Sequence, residues 1–194
     1  MSPKEAEELL FERGSLEEAW VRHCLKVREA ARVLGECLGS VLDRELLEVS
    51  ALLHDIGRSV DQGVRHPWEG WLILQERGEP QVARAALSHW LKGRGLKQVL
   101  RTAPDLDREW VERIFQVYRP RPLTWVDNAV SVADAVVAHD RVVPIGERYR
   151  DLAVRYGRSA WLKDSERITR AQAARLSRVC GEDVEARILR ELAR

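Results

Sequence analysis

Apolar residues recur three and four positions apart along almost the whole chain, and no run of alternating β-branched residues bounded by hairpin turn signals interrupts them. That pattern predicts an all-α fold. Caps and breakers divide it. Ser2, Pro3 and Glu5 form a capping box with proline at the first helical position, and Gly14 stops the helix that follows. Ser15 with Glu18 reads as a second box opening a long helix through Trp20, Cys24, Val27, Ala31 and Leu34 toward Gly39. Asp43 caps a third helix, Leu46 to about Asp55, and His66-Pro67 opens a fourth that ends near Gly78.

Pro80 opens a fifth helix through His89, closed by Gly93 and Gly95. Leu96 to Pro122 is less regular, with one helix over Asp107 to Gln116 and a stiff YRPRP connection. Thr124 with Asp127 caps a helix carrying Ser131, Asp134 and Val137 before Pro144, and Ile145 to Arg194 reads as two or three amphipathic helices. No repeat or linker divides the chain, so residues 1–194 are expected to form one domain of about eight to ten helices.

Charge narrows the partners. The 32 Lys plus Arg nearly balance 31 Asp plus Glu, leaving a formal +1, so no global field is available to hold duplex nucleic acid. Any anion must be bound locally. Only five of the basic residues are lysines, and arginine's planar fork suits phosphate and carboxylate, although an ion-paired surface also explains the excess. Cys24, Cys37 and Cys180 form no CxxC pair, so the thiols are expected to be reduced and buried. The charged start MSPKEAEELLFERG is unlike a secretory leader, and no apolar run is long enough to cross a bilayer. A cytoplasmic protein without membrane contact is expected.

The chemistry is concentrated in few residues. There are five histidines, His23, His54, His66, His89 and His139, and His54 is followed directly by Asp55. Neutral imidazole and carboxylate suit Fe, Mn, Zn or Mg, and a carboxylate can bridge two cations. Adjacent helical residues stand about 100° apart, so His54 and Asp55 can approach one ion from neighbouring directions. A lone helical histidine is more often a core or surface residue, so spacing alone leaves both readings open.

The segment ALLHDIGRS, with His23 upstream and Asp134 of SVADAVVAHDR downstream, resembles the HD (HDIG) superfamily of metal-dependent phosphohydrolases. HPWEG at His66 and AALSHW ending in His89-Trp90 are similar to that family's further histidine segments, so the resemblance spans roughly residues 15–150 and leaves 145–194 as a helical extension. It implies an HD-domain helical bundle in which His23, His54, Asp55 and Asp134 hold one metal and His66 and His89 a second, with Asp55 bridging. The longer ligand set is similar to that of binuclear members such as the bacterial diadenosine tetraphosphate hydrolases. The implied cofactors are two divalent ions (Fe, Mn, Co or Zn, with Mg also admitted).

The implied activity is hydrolysis of a phosphomonoester or phosphoanhydride, such as a nucleotide or dinucleotide, by attack of a metal-bridging hydroxide, with Asp55 and Arg58 as the catalytic pair. Fixed cations beside the metals would stabilise the charge that develops on the phosphoryl oxygens. Arg58, three residues after Asp55, and Arg141, two turns beyond Asp134 if that helix continues, are the first candidates. Lys92, Arg94 and Arg65 are further ones, although each reads more readily as a solvated charge. His139 falls about 140° around such a helix from Asp134 and is not expected to be a ligand. Asp127 is explained by its cap, whereas Trp68 and Trp90 could line a pocket. The alternatives are a mixed-valence diiron oxygenase on the same ligands and a non-catalytic ligand-binding module, and the candidate assembly is a homodimer.

Overall fold

Proline and side-chain caps set the helix starts in the computed structural model, which describes residues 1–192. Helix α1, Pro3–Arg13, begins with the Ser2–Glu5 capping box, and α2, Ala19–Leu38, follows after a turn. The second expected box is not one. Glu18 caps α2 without a side-chain bond, and its carboxylate instead accepts from the Ser15 amide and the Trp20 indole. Helix α3, Arg44–Leu53, is capped by Asp43 and stops two residues before the expected end, leaving His54 at its terminus and Asp55 beyond it. A 3-10 turn, Ile56–Ser59, leads to α4, His66–Glu76, and then α5, Pro80–Leu91.

The stretch read as irregular holds two helices, α6, Leu96–Thr102, and α7, Arg108–Val117; the first is a seven-residue element that carries little periodic signal. Helix α8, Trp125–Ala135, starts with the Thr124–Asp127 box. It does not continue toward Pro144. The chain turns into a two-stranded antiparallel hairpin, β1 Val137–Ala138 and β2 Arg141–Val142, in the register Val137 to Val142 and Ala138 to Arg141. His139 takes φ +58 in the turn, a left-handed conformation that His and Asp reach more readily than bulkier residues. Three helices complete the chain: α9, Ile145–Tyr156, α10, Ala160–Cys180, and α11, Val184–Leu192. The fold is all-α apart from the hairpin, with eleven α-helices among the described residues.

Three apolar cores hold these elements, and α5 enters all of them. Ala85 joins the largest core, with Val27, Ala31 and Leu34 of α2, Val130 and Ala133 of α8, and Leu176 and Ile188 of the tail. Ala83 and Ala86 join a second with Leu9, Leu10, Val21, Leu52 and Leu53. Leu87 and Leu91 join a third with Val99, Trp110, Val111 and Ile114. Alanines at these crossings let the helices approach closely, and truncating one of the buried leucines costs about 2–5 kcal/mol. All five helices that carry candidate ligands pack into these cores.

The cysteine expectation is corrected. Cys37 at the end of α2 and Cys180 at the end of α10 are joined by a disulfide with Cα atoms 5.1 Å apart, while Cys24 is a buried free thiol. The pairing spans 143 residues, and it depends on α10 folding back across α2, which local spacing does not reveal. No helix among the described residues is long and apolar enough to cross a membrane.

Candidate metal centre

Four imidazoles and two carboxylates from separate elements meet at one buried point. His23 comes from α2, His54 from the end of α3, His66 from the first position of α4, His89 from the last turn of α5 and Asp134 from the last turn of α8. Neighbouring rings are close: His23 to His54 5.4 Å, His54 to His89 4.9 Å and His66 to His89 5.8 Å between centroids. The donor atoms fall into two groups, His23, His54 and Asp55, and Asp55, His66 and His89, each within 4.8 Å of one another. Asp134 joins the first, with Oδ1 3.1 Å from His23 Nε2 and 3.9 Å from His54 Nε2.

Asp55 belongs to both groups because the backbone changes conformation at that residue. His54 is still helical, at φ −58 and ψ −32, whereas Asp55, at φ −107 and ψ 12, has left the helix. Gly57 then lets the 3-10 turn lie directly against α4. A Cβ there would collide with the carbonyl oxygen of His66 and the amide of Gly70. The glycine of the HDIG segment is thus required by the close approach that brings His66 to Asp55.

The imidazoles share one orientation. Nδ1 of His23, His54, His66 and His89 faces the carbonyl of His139, Ala51, Gly63 and Ala85, at 2.9, 2.7, 2.5 and 3.4 Å respectively. A carbonyl only accepts, so each Nδ1 carries the proton and each Nε2 presents a lone pair to the cluster, the usual arrangement around a ligating histidine. His54 Nε2 and Asp55 Oδ1 are buried without a hydrogen-bond partner. Burial lowers the His54 pKa to about 4, against the pull of Asp55, so the ring is neutral near pH 7 as a ligand must be. Burial opposes ionisation of Asp55, but the Arg58 guanidinium outweighs it and holds the carboxyl well below the usual range. Asp134 is likewise held low against burial, with the Arg148 guanidinium beside it. Neutral nitrogen donors, ionised carboxylates and orphaned buried atoms fit divalent cations.

Residues 20–139 match the HD domain family. The chain belongs to the HD-domain family. An uncharacterized protein of Methanocaldococcus jannaschii is 30% identical over 143 residues, which cover 72% of this chain and 78% of that protein. A tRNA (cytidine(56)-2'-O)-methyltransferase of Picrophilus torridus is 25% identical over 167 residues, covering 85% of this chain but 43% of that longer protein. No solved structure matches. HD-domain proteins are mostly metal-dependent phosphohydrolases, and the two His/Asp groups sharing Asp55 fit an HD-type metal site.

The HD centre opens into a cavity of about 740 Å³. Of the five cations singled out from sequence, Arg58 and Lys92 line it. Arg58 Nε donates to Asp55 Oδ2 at 2.5 Å, and one of its terminal nitrogens lies 3.5 Å from His66 Nε2. Lys92 is buried, with Nζ donating to Ser131 Oγ at 2.6 Å, and burial draws its pKa down to about 8. The other three point elsewhere. Arg94 is fully buried, bonded to Asp164 and Ser165 and stacked 4.0 Å over Trp161. Arg65 is exposed near Asp107 and Trp110. Arg141 lies exposed on β2, because α8 ends at Ala135 and the two further turns that would have returned it to the Asp134 face do not form.

His139 is outside both ligand groups, its carbonyl supporting His23 and its side chain lying at the cavity edge. Asp127 caps α8 and pairs with Arg84. Trp90 lines the cavity, whereas Trp68 stacks on Trp71 outside it. Sequence reasoning singled out no residue of the wall supplied by α9 and α10, above all Arg148, whose guanidinium lies 3.8 Å from Asp134 Oδ1. A signal was present: Arg148, Tyr149, Leu152, Arg155 and Tyr156 recur at helical spacing, and all five face the cavity.

Proposed function

We propose that this chain is a metal-dependent phosphohydrolase that cleaves a phosphomonoester or phosphoanhydride of a small, nucleotide-like substrate. The observation that carries this reading is Asp55, whose two carboxylate oxygens face different histidine groups at the floor of a cation-lined cavity. His23, His54, Asp55 and Asp134 would hold one divalent ion, and His66, His89 and Asp55 a second. Two such ions supply activated water and Lewis acidity, the chemistry that hydrolysis of a phosphate ester needs.

The chain's own residues then bind and orient. Arg58 and Arg148 flank the carboxylates and offer fixed donors to non-bridging phosphoryl oxygens, where charge accumulates as the ester bond breaks. Both are held by their carboxylate partners before substrate arrives, so little reorganisation is needed. Trp90 and Trp161, with ring centroids 5.0 Å apart, and Tyr156 give the cavity an aromatic wall on which a flat organic group can stack. Its volume suits a ligand of nucleotide size, and the nearly balanced net charge favours a small anion over a polyanion.

The test is release of phosphate or mononucleotide from a panel of nucleotides, dinucleotides and sugar phosphates by protein loaded with Mn, Fe, Co or Mg. Turnover that is lost on chelation supports the reading. Bound metal with no release from any member of the panel refutes it, and oxygen consumption confined to the iron-loaded form would point to an oxygenase instead.

A further inference from the structure

Two neighbouring cations, Lys92 and Arg94, are both buried where α5 ends, yet the fold treats them differently. Arg94 has a complete set of partners: the Asp164 carboxylate, the Ser165 hydroxyl, three backbone carbonyls and the Trp161 ring. Lys92, only 6% exposed, has one neutral partner, the Ser131 hydroxyl, and no carboxylate among the described residues pairs with it. The Ser131 proton is itself directed to Gln172 Oε1 at 2.8 Å, so the hydroxyl presents a lone pair to the ammonium. The backbone is committed as well, since Lys92 takes the left-handed conformation, at φ 50 and ψ 35, and so turns its side chain toward α8. A buried ammonium with one neutral hydrogen bond is unfavourable unless an anion joins it.

We propose that Lys92 binds the phosphoryl group of the substrate on the Asp134 side of the metal centre, the substrate supplying the directly paired anion that the fold does not. Three observations place the anion there. Lys92 lines the same cavity as the metal-ligating side chains. Its partner Ser131 lies three residues before Asp134 on α8, one turn along the same face, a rise of about 4.5 Å. Arg148, 3.8 Å from Asp134 Oδ1, lines the same cavity and offers a second cation beside Asp134. Arg94, equally buried but saturated, takes no part and fixes Trp161 instead.

This assignment rests on the phosphohydrolase reading, and orthophosphate separates the two. The experiment is calorimetric titration of the Mn-loaded full chain with orthophosphate, with metal content measured in parallel, for the native chain, Lys92→Met, Lys92→Arg and Ser131→Ala. The expected result is a 10- to 100-fold loss of phosphate affinity in Lys92→Met with unchanged metal equivalents, recovery in Lys92→Arg, and a loss of a few-fold in the milder Ser131→Ala. Native affinity in metal-loaded Lys92→Met, or no phosphate binding by the metal-loaded native chain, overturns it. If the affinity depends on Lys92 while no ester in the panel is hydrolysed, the anion site stands and the phosphohydrolase reading falls. If esters are hydrolysed with native kinetics by Lys92→Met, only the assignment to Lys92 falls.

Discussion

Asp55 Oδ1 lies 3.1 Å from His66 Nε2, although the two residues belong to successive elements joined by a 3-10 turn. The other oxygen, Oδ2, faces His54 at 3.9 Å and Arg58 at 2.5 Å. One carboxylate thus serves both histidine groups, and the groups should be separable by mutation. His66→Gln or His89→Gln is expected to leave about one equivalent of metal in the first group, whereas Asp55→Asn empties both. Metal analysis of the purified variants checks this, and one equivalent retained by Asp55→Asn would contradict the shared role.

Arg58→Ala tests whether that arginine serves more than the Asp55 ion pair. Removal of one fixed donor to developing phosphoryl charge is expected to lower kcat by about 100-fold with metal content preserved. Arg58→Lys, which keeps the charge but not the fork, should fall between the variant and the native chain. Steady-state kinetics with parallel metal analysis decide it, and unchanged turnover in Arg58→Ala would confine the residue to a structural ion pair.

Gly57→Ala is expected to be severe for a reason confined to backbone contacts. The new methyl group meets the His66 carbonyl and the Gly70 amide, neither of which can rotate away. Overpacking of this kind costs about 1–3 kcal/mol, and it pushes His66 from Asp55. Denaturant unfolding should show the loss, and metal analysis should show the second ion weakened before the first.

Lys92 gives a pH dependence whose sign is fixed by its shift. Its folded pKa, about 8, lies below the ordinary 10.5 because of burial. Between those values the unfolded chain holds a proton that the folded chain has released, so stability rises with pH across that window. Below pH 8 the penalty is fully present and is worth up to about 3 kcal/mol. In chelator-treated, phosphate-free protein, Lys92→Met should therefore gain on the native chain at pH 7, and the gap should close toward pH 10. Urea unfolding of the pair at both pH values checks it, and a gap independent of pH would contradict it.

The Cys37–Cys180 disulfide ties α2 to the extension, outside the ligand cluster. Replacing both cysteines by serine should lower the unfolding free energy by about 2–4 kcal/mol and leave metal content unchanged. Chemical unfolding with and without reductant measures the first, and metal analysis the second.

The candidate ligands were legible through the resemblance carried by ALLHDIGRS, HPWEG and AALSHW, because helix spacing alone leaves each histidine open to a core or surface reading. The caps and helix-opening prolines placed only the helices that carry them. Of the cations, Arg58 and Lys92 were singled out and line the cavity, whereas Arg141 was misplaced because its position depends on how far α8 runs. The chain leaves α8 at Ala135 and turns at His139-Asp140, so Arg141 lies on a hairpin strand instead of the Asp134 face. Arg148 reaches Asp134 only because the tail folds back over the cavity, as does the cysteine partner of Cys37. Caps were readable but not infallible, since Ser15 and Glu18 have the spacing of a box and form a turn held to Trp20 instead.

The most direct test of a hydrolytic centre bridged by Asp55 is phosphate release from a cleavable nucleotide, followed as Mn is added stepwise to chelator-treated protein. Release that rises to a plateau at two equivalents per chain, and is absent in Asp55→Asn, is the expected result. Two equivalents bound with no phosphate released, or full activity at one, would contradict it.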